Sequence, residues 1–180
     1  MTITRGESMK HIKQKKLAFV FLLIVVSGLL FSGCGKKMNN GETHNVSFQE
    51  QAAAVYEAKT PYAGNASAVG KVTELLPFAN NGERNGMELQ TEAEPYGVTL
   101  EYKDLSRIPE MELKGNAYLM FCVIENLGQV TFNDQTGKTS VQFLRGDVFE
   151  YGNTAEFFAE NKEQFISFAN RLNDEILKTE

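Results

Sequence analysis

The feature that most restricts the fold of this chain is an uncharged segment near its N-terminus. Leu17 to Leu30 contains no charged residue, and five Lys or Arg residues precede it with one acidic residue among them. A basic region, then an apolar region and then small residues are typical of a secretory signal. The segment is also shorter than the roughly 20 apolar residues that a membrane-spanning helix requires. We therefore predict that residues 1–33 are a cleaved signal peptide outside the folded domain.

The small residues after this segment end at a cysteine, in the run Ser32-Gly33-Cys34. The run resembles the lipobox of bacterial lipoproteins, in which the signal is cut directly before the cysteine and the thiol receives diacylglycerol. The resemblance implies that Cys34 is lipidated and holds the mature chain at the outer, extracytoplasmic face of the cell membrane. Phe31 departs from the pattern, which usually has Leu, Val or Ile there. The alternative is that the apolar segment remains uncleaved as an anchor.

Removal of the signal changes the charge of the chain. The whole sequence has a net charge of −5, whereas residues 34–180 contain 13 Lys and Arg against 22 Asp and Glu, a net charge of −9. An acidic surface disfavours binding to nucleic acid or to anionic lipid headgroups. Residues 34–46 have almost no apolar side chains and are predicted to be a flexible tether. Residues 47–180 then have a suitable length for a single domain.

Helices are predicted at both ends of this domain. Ser47 followed by Glu50 is a capping box, and apolar residues at helical spacing continue to about Tyr56. After a turn rich in proline and glycine, a second helix is predicted from about Ser67 to Leu76. A long C-terminal helix is predicted from apolar residues that recur at i, i+3, i+4, i+7 and i+11, namely Phe165, Phe168, Ala169, Leu172 and Ile176.

The C-terminal helix has two polar signals of its own. The run Asn153-Thr154-Ala155-Glu156 is a capping pattern that predicts where the helical region begins. Asn161, a few residues later, is predicted to mark a bend or a short break.

Between the helices the apolar period changes to two, which is typical of half-buried strands. Such strands are predicted around Met87–Thr91, Val98–Tyr102, Val130–Phe132 and Val141–Phe143. Ala117–Ile124 is apolar without alternation and is predicted to be a central strand covered on both faces, and Asp104–Asn116 is predicted to be a loop. Short turns would make the last three strands an antiparallel meander. The predicted fold is α+β, an antiparallel sheet of about five strands with two N-terminal helices and a long C-terminal helix.

Three blocks of the sequence together resemble a known family. They are Lys59–Asn65 (KTPYAGN) with Val69-Gly70 and Leu75–Pro77, then Glu88–Thr91 (ELQT) with Glu94–Thr99 (EPYGVT), and finally Val130–Asn133 (VTFN). They are similar to the domain of unknown function 4825 of mostly Gram-positive envelope proteins, over roughly Gln51 to Phe149. Members occur as small lipoproteins and as outward-facing parts of membrane-bound regulators, including antirepressor-type metallopeptidases. The resemblance implies sensing or regulation at the envelope, and no catalytic residue is carried over from it.

Several kinds of chemistry are disfavoured by the residues themselves. His44 is the only histidine after residue 33, and it lies in the predicted tether. Nucleophilic triads and histidine-ligated zinc sites need a positioned imidazole, so we predict neither. The sequence also contains no His-Glu-x-x-His motif. Cys122 lies in an apolar run and is predicted to be a buried, unreactive thiol. We therefore predict no catalytic residue, no metal and no cofactor.

Four carboxylates form the first group of candidate site residues. Glu88, Glu92, Glu94 and Glu101 cluster around two predicted strands. Paired acids can hydrolyse glycosides or bind calcium. The same pattern is typical of the solvated face of an acidic sheet, and we favour that interpretation.

The second group is a candidate binding patch that contains Tyr62, Asn65, Gln90 and Tyr96. Two Pro-Tyr turns that meet at one end of the sheet would present two aromatic rings with an amide between them, as ordinary protein-binding surfaces do. Both tyrosines could equally close the ends of the core with a hydrogen-bonded hydroxyl.

These observations favour one function and leave one alternative. We expect a non-enzymatic, lipid-anchored extracytoplasmic domain that binds a ligand or a membrane or cell-wall protein as a sensor or regulator. The alternative is an envelope hydrolase that uses carboxylates alone.

Overall fold

The computed structural model describes residues 46–80, 82–149 and 153–179. Its helices are α1 (Phe48–Glu57), α2 (Ala66–Leu75), the 3₁₀ turn Leu105–Arg107, α3 (Glu110–Val123), α4 (Arg145–Val148), α5 (Ala155–Phe158) and α6 (Lys162–Leu177). Its strands are β1 (Arg84–Gln90), β2 (Gly97–Tyr102), β3 (Gln129–Asp134) and β4 (Ser140–Leu144). The predicted signal peptide and most of the predicted tether lie outside these residues. Within the described part, no helix has the length and apolar character needed to cross a membrane.

The strands form one four-stranded sheet in the order β1-β2-β3-β4. β1 and β2 are antiparallel, β2 and β3 are parallel, and β3 and β4 are antiparallel. In this register Leu100 lies opposite both Met87 and Phe132. The alternating side chains of β2 and β3, such as Val98, Leu100 and Phe132, are buried in the core that the helices cover. The four strands predicted from alternation are confirmed in position.

The predicted antiparallel sheet of about five strands is wrong in two respects, because the sheet is mixed and has four strands. Ala117–Ile124, predicted as a central strand, lies almost entirely in α3 and reaches only one residue beyond it. A helix that is buried on nearly all sides is continuously apolar, so its sequence has neither the helical nor the strand period. The predicted antiparallel meander is therefore reduced to the β3–β4 hairpin.

The predicted loop Asp104–Asn116 is also corrected. It contains the 3₁₀ turn and then the first half of α3, which begins directly after Pro109. Proline is compatible with the start of a helix but not with its interior, and Glu110 and Glu112 in the first turn interact favourably with the helix dipole. The polar residues that suggested a loop are the first turns of the helix.

The predicted helices at the two ends of the domain are confirmed. Ser47 caps α1 in a complete capping box with Glu50. In the C-terminal region Thr154 caps α5 and Asn161 caps α6, so Asn161 marks a break between two helices. α6 packs against both α1 and α3, and its buried side chains are the ones that the helical period identified: Phe165, Phe168, Ala169, Leu172 and Ile176.

The segment after α2 is attached to α3 by buried polar groups. The Asn116 amide donates to the carbonyl of Phe78 at 2.9 Å and accepts from the N–H of the same residue at 3.2 Å. A Glu112 carboxylate oxygen accepts from the N–H of Ala79 at 2.6 Å. Because buried backbone groups are costly when unpaired, these three bonds fix the path of the chain where Ala79 has a positive φ of 61°. Gly115 lies beside the Phe78 ring and leaves room for it.

Arg145 connects the other end of α3 to the C-terminal helices. Its guanidinium donates to the carbonyl of Phe121 at 2.8 Å and to the carbonyl of Leu127 at 3.0 Å. The second terminal nitrogen forms an ion pair with Glu156 in α5. The bond to Phe121 satisfies a carbonyl that the end of α3 leaves open, and together these bonds attach the end of β4 to α3, to the loop after α3 and to α5.

We predict that Gly115→Ala destabilises the domain although alanine is the better helix former. An added Cβ would lie 2.8 Å from Cδ2 of Phe78 and 3.1 Å from Cδ1 of Ile176. Overpacking of this kind costs about 1–3 kcal/mol and outweighs a gain of up to about 1 kcal/mol in helix propensity. Urea unfolding measures the change. Gly70→Ala in α2 is the matched control, because its Cβ would meet no atom within 4 Å, and it should stabilise by about 0.5–1 kcal/mol.

A second prediction concerns the pH dependence of stability. Burial alone would raise the pKa of Glu156, but hydrogen bonds from the Thr154 hydroxyl and the Glu156 N–H, together with Arg145, outweigh it and lower the pKa to about 2. A lowered pKa means that the interaction is fully present above pH 4.5 and is lost as the pH falls toward 2. The difference in urea midpoint between the wild type and Glu156→Gln should therefore become smaller as the pH falls from 4.5 toward 2. Because the carboxylate is largely exposed, solvent screening keeps this difference small.

Glu125→Gln is the control for the loss of one negative charge. Glu125 forms an ion pair with Lys59 at the surface, so this variant also loses one exposed carboxylate and one ion pair, but at a different place. A difference for Glu156→Gln that grows as the pH falls would contradict the assigned ion pair.

Candidate functional site

The two Pro-Tyr turns lie at the same end of the sheet, on either side of the loop that joins α3 to β3. In the first turn, Ala63 donates its N–H to the side-chain oxygen of Asn126 at 2.7 Å. In the second turn, the carbonyl of Tyr96 accepts from the N–H of Gly128 at 2.8 Å and from that of Gln129 at 3.1 Å. Both turns are therefore attached to the same loop. We call this region the Pro-Tyr end of the sheet.

The first turn also approaches the end of β1. A Cβ added at Gly64 would lie 3.6 Å from Cγ2 of Thr91, which directly follows the strand. Thr60, just before the turn, pairs with Ile124 in an isolated parallel bridge. The predicted meeting of the two Pro-Tyr turns at one end of the sheet agrees with these contacts.

The four residues of the candidate patch have different roles there. Tyr62 is 64% exposed, whereas Tyr96 is half-buried and packs against the core. Asn65 uses its side-chain oxygen to cap α2, accepting from Ala68 at 3.2 Å. In the described part of the chain, neither tyrosine stacks on another aromatic ring. The structure thus brings the four residues to one region, with Asn65 in a structural role and Tyr62 as the exposed aromatic ring.

Gln90 belongs to a row of polar side chains on the sheet face opposite the core. Its amide donates to the Thr99 hydroxyl at 2.7 Å and accepts from the Gln129 amide at 3.3 Å. Gln142 continues the row with bonds to Gln129 at 3.5 Å and to the Thr131 hydroxyl at 3.4 Å. We call these five residues the polar ladder, and it crosses all four strands.

Gly97 makes the polar ladder possible. It lies between Gln90 and Gln129 in the register, and an added Cβ would clash with the amide oxygen of Gln90 and lie 2.7 Å from the amide nitrogen of Gln129. The two glutamine side chains therefore meet over its backbone. The sequence could not predict this meeting, because it depends on the pairing of β2 with β3.

The four candidate carboxylates do not form an enclosed pair. Glu88, Glu92 and Glu94 are exposed, and Glu101 is half-buried on the same sheet face as Glu88. Within the described residues, no group of three or more His, Cys, Asp or Glu side chains has a geometry that could hold a metal ion. Glu88 and Glu101 lie on the sheet face opposite the core, whereas Glu92 and Glu94 lie in the connection between β1 and β2.

The two cysteines have different positions relative to the described residues. Cys34 lies outside them, so its lipidation stays a prediction. Cys122 is buried in α3, and the prediction of a buried thiol is confirmed. Burial raises the pKa of this thiol, which keeps it protonated and unreactive.

A layer of helices on one face of a mixed sheet, with polar side chains on the other face, defines the architecture of this domain. The model of the family described as a domain of unknown function (DUF4825) matches residues 55–144. This range runs from the second half of α1 to the end of β4, and the chain belongs to this family. The match contains the Pro-Tyr end and the polar ladder, and it stops before α4, α5 and α6. No curated protein and no solved structure gives a significant match.

Proposed function

We propose that this chain is a non-enzymatic, lipid-anchored extracytoplasmic domain that binds a protein partner through the Pro-Tyr end. The observation that carries the proposal is the exposure of Tyr62. This residue is 64% exposed, although the backbone of its turn is held in place by hydrogen bonds. Tyrosine supplies a large amphipathic contact area and loses little conformational entropy on binding, so it is enriched at binding hot spots. The resemblance to envelope proteins of this family supports a role in sensing or regulation at the envelope.

The backbone around Tyr62 is held on both sides. The Asn126 side chain accepts from the N–H of Ala63, directly after Tyr62 in the chain, and Thr60, two residues before Tyr62, pairs with Ile124. Asn65 then caps α2 and fixes the exit of the turn. A rigid aromatic residue needs less ordering on binding than one in a loose loop, and this increases affinity.

The polar ladder supports a protein as the partner. Its glutamine side chains offer amide donors and acceptors, and Gln90 ends β1 directly before Thr91, which the first Pro-Tyr turn approaches at Gly64. Interfaces of non-obligate complexes combine an aromatic anchor with a polar, hydrated rim of this kind. The acidic domain, with its net charge of −9 after residue 33, argues for a neutral or basic partner and against nucleic acid.

The test is a crosslinking pull-down of the intact protein from its own membranes, compared between the wild type and Tyr62→Ala. Loss of a central tyrosine should weaken partner binding by about 2 kcal/mol, roughly 30-fold, so that the captured band disappears. Because Tyr62 is exposed, the urea midpoint should change little.

Leu177→Ala is the matched control. Leu177 is 60% exposed and lies in the last turn of α6, so its truncation removes a similar exposed apolar surface from another element. Equal capture by the wild type and both variants would refute the Pro-Tyr end as the binding surface. Tyr96→Phe keeps the packing of the half-buried ring and tests its hydroxyl separately.

The anchor is tested by Cys34→Ala in the full chain. We expect the variant to lose incorporation of a labelled fatty acid and to move from the membrane fraction to the soluble one, because the thiol is the attachment point and each buried methylene of an acyl chain contributes about 0.8 kcal/mol. Cys122→Ala should leave both readouts unchanged. Continued membrane association of Cys34→Ala without label would instead indicate an uncleaved anchor.

A further inference from the structure

A second surface of the domain combines four aromatic rings with two opposite charges. Phe158 and Phe168 stack at 4.0 Å between ring centroids, and Phe149 lies edge-on to Tyr118 at 5.3 Å. These rings line an open cavity of about 180 Å³ between α3, α5 and α6. It shares no residue with the Pro-Tyr end, so binding there does not depend on the proposed function.

Arg171 is held at this cavity by the rings and not by a carboxylate. Its guanidinium carbon lies 5.4 Å from the centroid of Phe158 and 5.7 Å from that of Phe168. Stacking on aromatic faces leaves the planar fork of N–H donors free to bind a carboxylate at two points. Among the described residues, no hydrogen bond or ion pair occupies these donors.

Glu175 lines the same cavity one helical turn later. Side chains at i and i+4 are neighbours on a helix, but a cation placed N-terminal to the acid is the less favourable order. Here Arg171 is drawn to the rings instead, and the Glu175 carboxylate is left without a cationic partner in the described part of the chain. Both side chains are exposed and accessible to a ligand.

We propose that this cavity binds a free α-amino acid with an aromatic or large apolar side chain. Arg171 takes the carboxylate, Glu175 takes the ammonium group, and the side chain packs against the parts of Tyr118, Phe158 and Phe168 that line the cavity. The two ligand charges are attached to one carbon atom, and the Cβ atoms of Arg171 and Glu175 are about 5–6 Å apart. That spacing allows each side chain to reach one of the charges.

The size of the cavity fits this ligand. An enclosed cavity of about 150 Å³ can hold benzene; this one, of about 180 Å³, is open, so an aromatic ring would pack with one face on the wall and the charged end of the ligand at the mouth. The lining combines aromatic side chains with Arg171 and Glu175, and small-molecule sites use placed polar groups of this kind to orient the ligand.

Lys114 makes an organic anion the main competing ligand. It lies over the ring of Tyr118, 5.7 Å from the centroid, and lines a smaller adjoining cavity together with Glu175. Two cations and one acid could favour a carboxylate without an ammonium group. The unpaired Glu175 decides between these ligands, because it attracts an ammonium group and repels a bare anion.

Most of the site lies outside the matched family region. Tyr118 is within residues 55–144, whereas Phe149, Phe158, Phe168, Arg171 and Glu175 come after it. The site would therefore be a property of this chain's C-terminal helices added to the family's sheet and α3.

The experiment is calorimetric titration of the full-length, detergent-solubilised protein with L-phenylalanine. Two analogues are titrated in parallel, 3-phenylpropionate without the ammonium group and 2-phenylethylamine without the carboxylate. We expect saturable binding of L-phenylalanine, and binding at least about tenfold weaker for each analogue, since each loses one charge-assisted bond.

Variants then assign the two charges. Glu175→Gln should weaken L-phenylalanine about tenfold or more and leave 3-phenylpropionate unchanged or tighter, whereas Arg171→Gln should weaken both carboxylates. Asp174→Asn is the matched control, because Asp174 is an exposed neighbour on α6 that lines none of the described cavities. It should bind like the wild type.

Three outcomes would overturn the proposal. One is the absence of saturable heat with L-phenylalanine up to about 10 mM. Another is tighter binding of 3-phenylpropionate than of L-phenylalanine to the wild type, which would make the cavity a site for organic anions. The third is an equal loss of L-phenylalanine binding in Asp174→Asn and Glu175→Gln, which would reduce the effect to net charge.

Discussion

The parallel pairing of β2 with β3 is the constraint on which the rest of this structure depends. Parallel neighbours need a crossover connection that returns over one face of the sheet, and α3 is that connection. The crossover buries α3 against the sheet, and α6 packs on α3 and α1 in turn. Both ends of α3 are held by polar contacts. Buried Glu112 and Asn116 bond to the segment after α2 at one end, and Arg145 bonds to the Phe121 carbonyl at the other.

The elements at the two ends of the domain were predictable because their signals are local. Capping residues such as Ser47 and Asn161 act within one turn, and α6 has a single apolar side, so its period is visible in the sequence. α3 has no such contrast, since its buried residues surround the helix. Alternation likewise located the strands, but the partner of each strand depends on the crossover, and a misread α3 led to the wrong sheet.

The candidate site shows the same division between local and long-range information. Two similar Pro-Tyr turns were enough to single out Tyr62 and Tyr96, and the turns do lie at one end of the sheet. The cap formed by Asn65 is local but ambiguous, because the same side chain suits a turn, a cap or a binding surface. Gln129 bonds to Gln90, and Gln142 bonds to Gln129, only because β3 lies between β2 and β4 in the sheet, which local sequence does not reveal. Arg171 and Glu175 gave no signal, since a charged pair one turn apart is ordinary on an exposed helix.

The two proposed surfaces share α3, and this limits how one could influence the other. Tyr118 lines the aromatic cavity, and Ile124, one residue after α3, pairs with Thr60 at the start of the first Pro-Tyr turn. Energetic coupling between sites requires an element with two discrete arrangements, and spatial proximity alone does not supply it. The end of α3 is held by Arg145, which also pairs with Glu156 next to the cavity's aromatic rings. A change in these Arg145 bonds is therefore one route by which binding of ligand and partner would be coupled, and the packing of α6 on α1 is another.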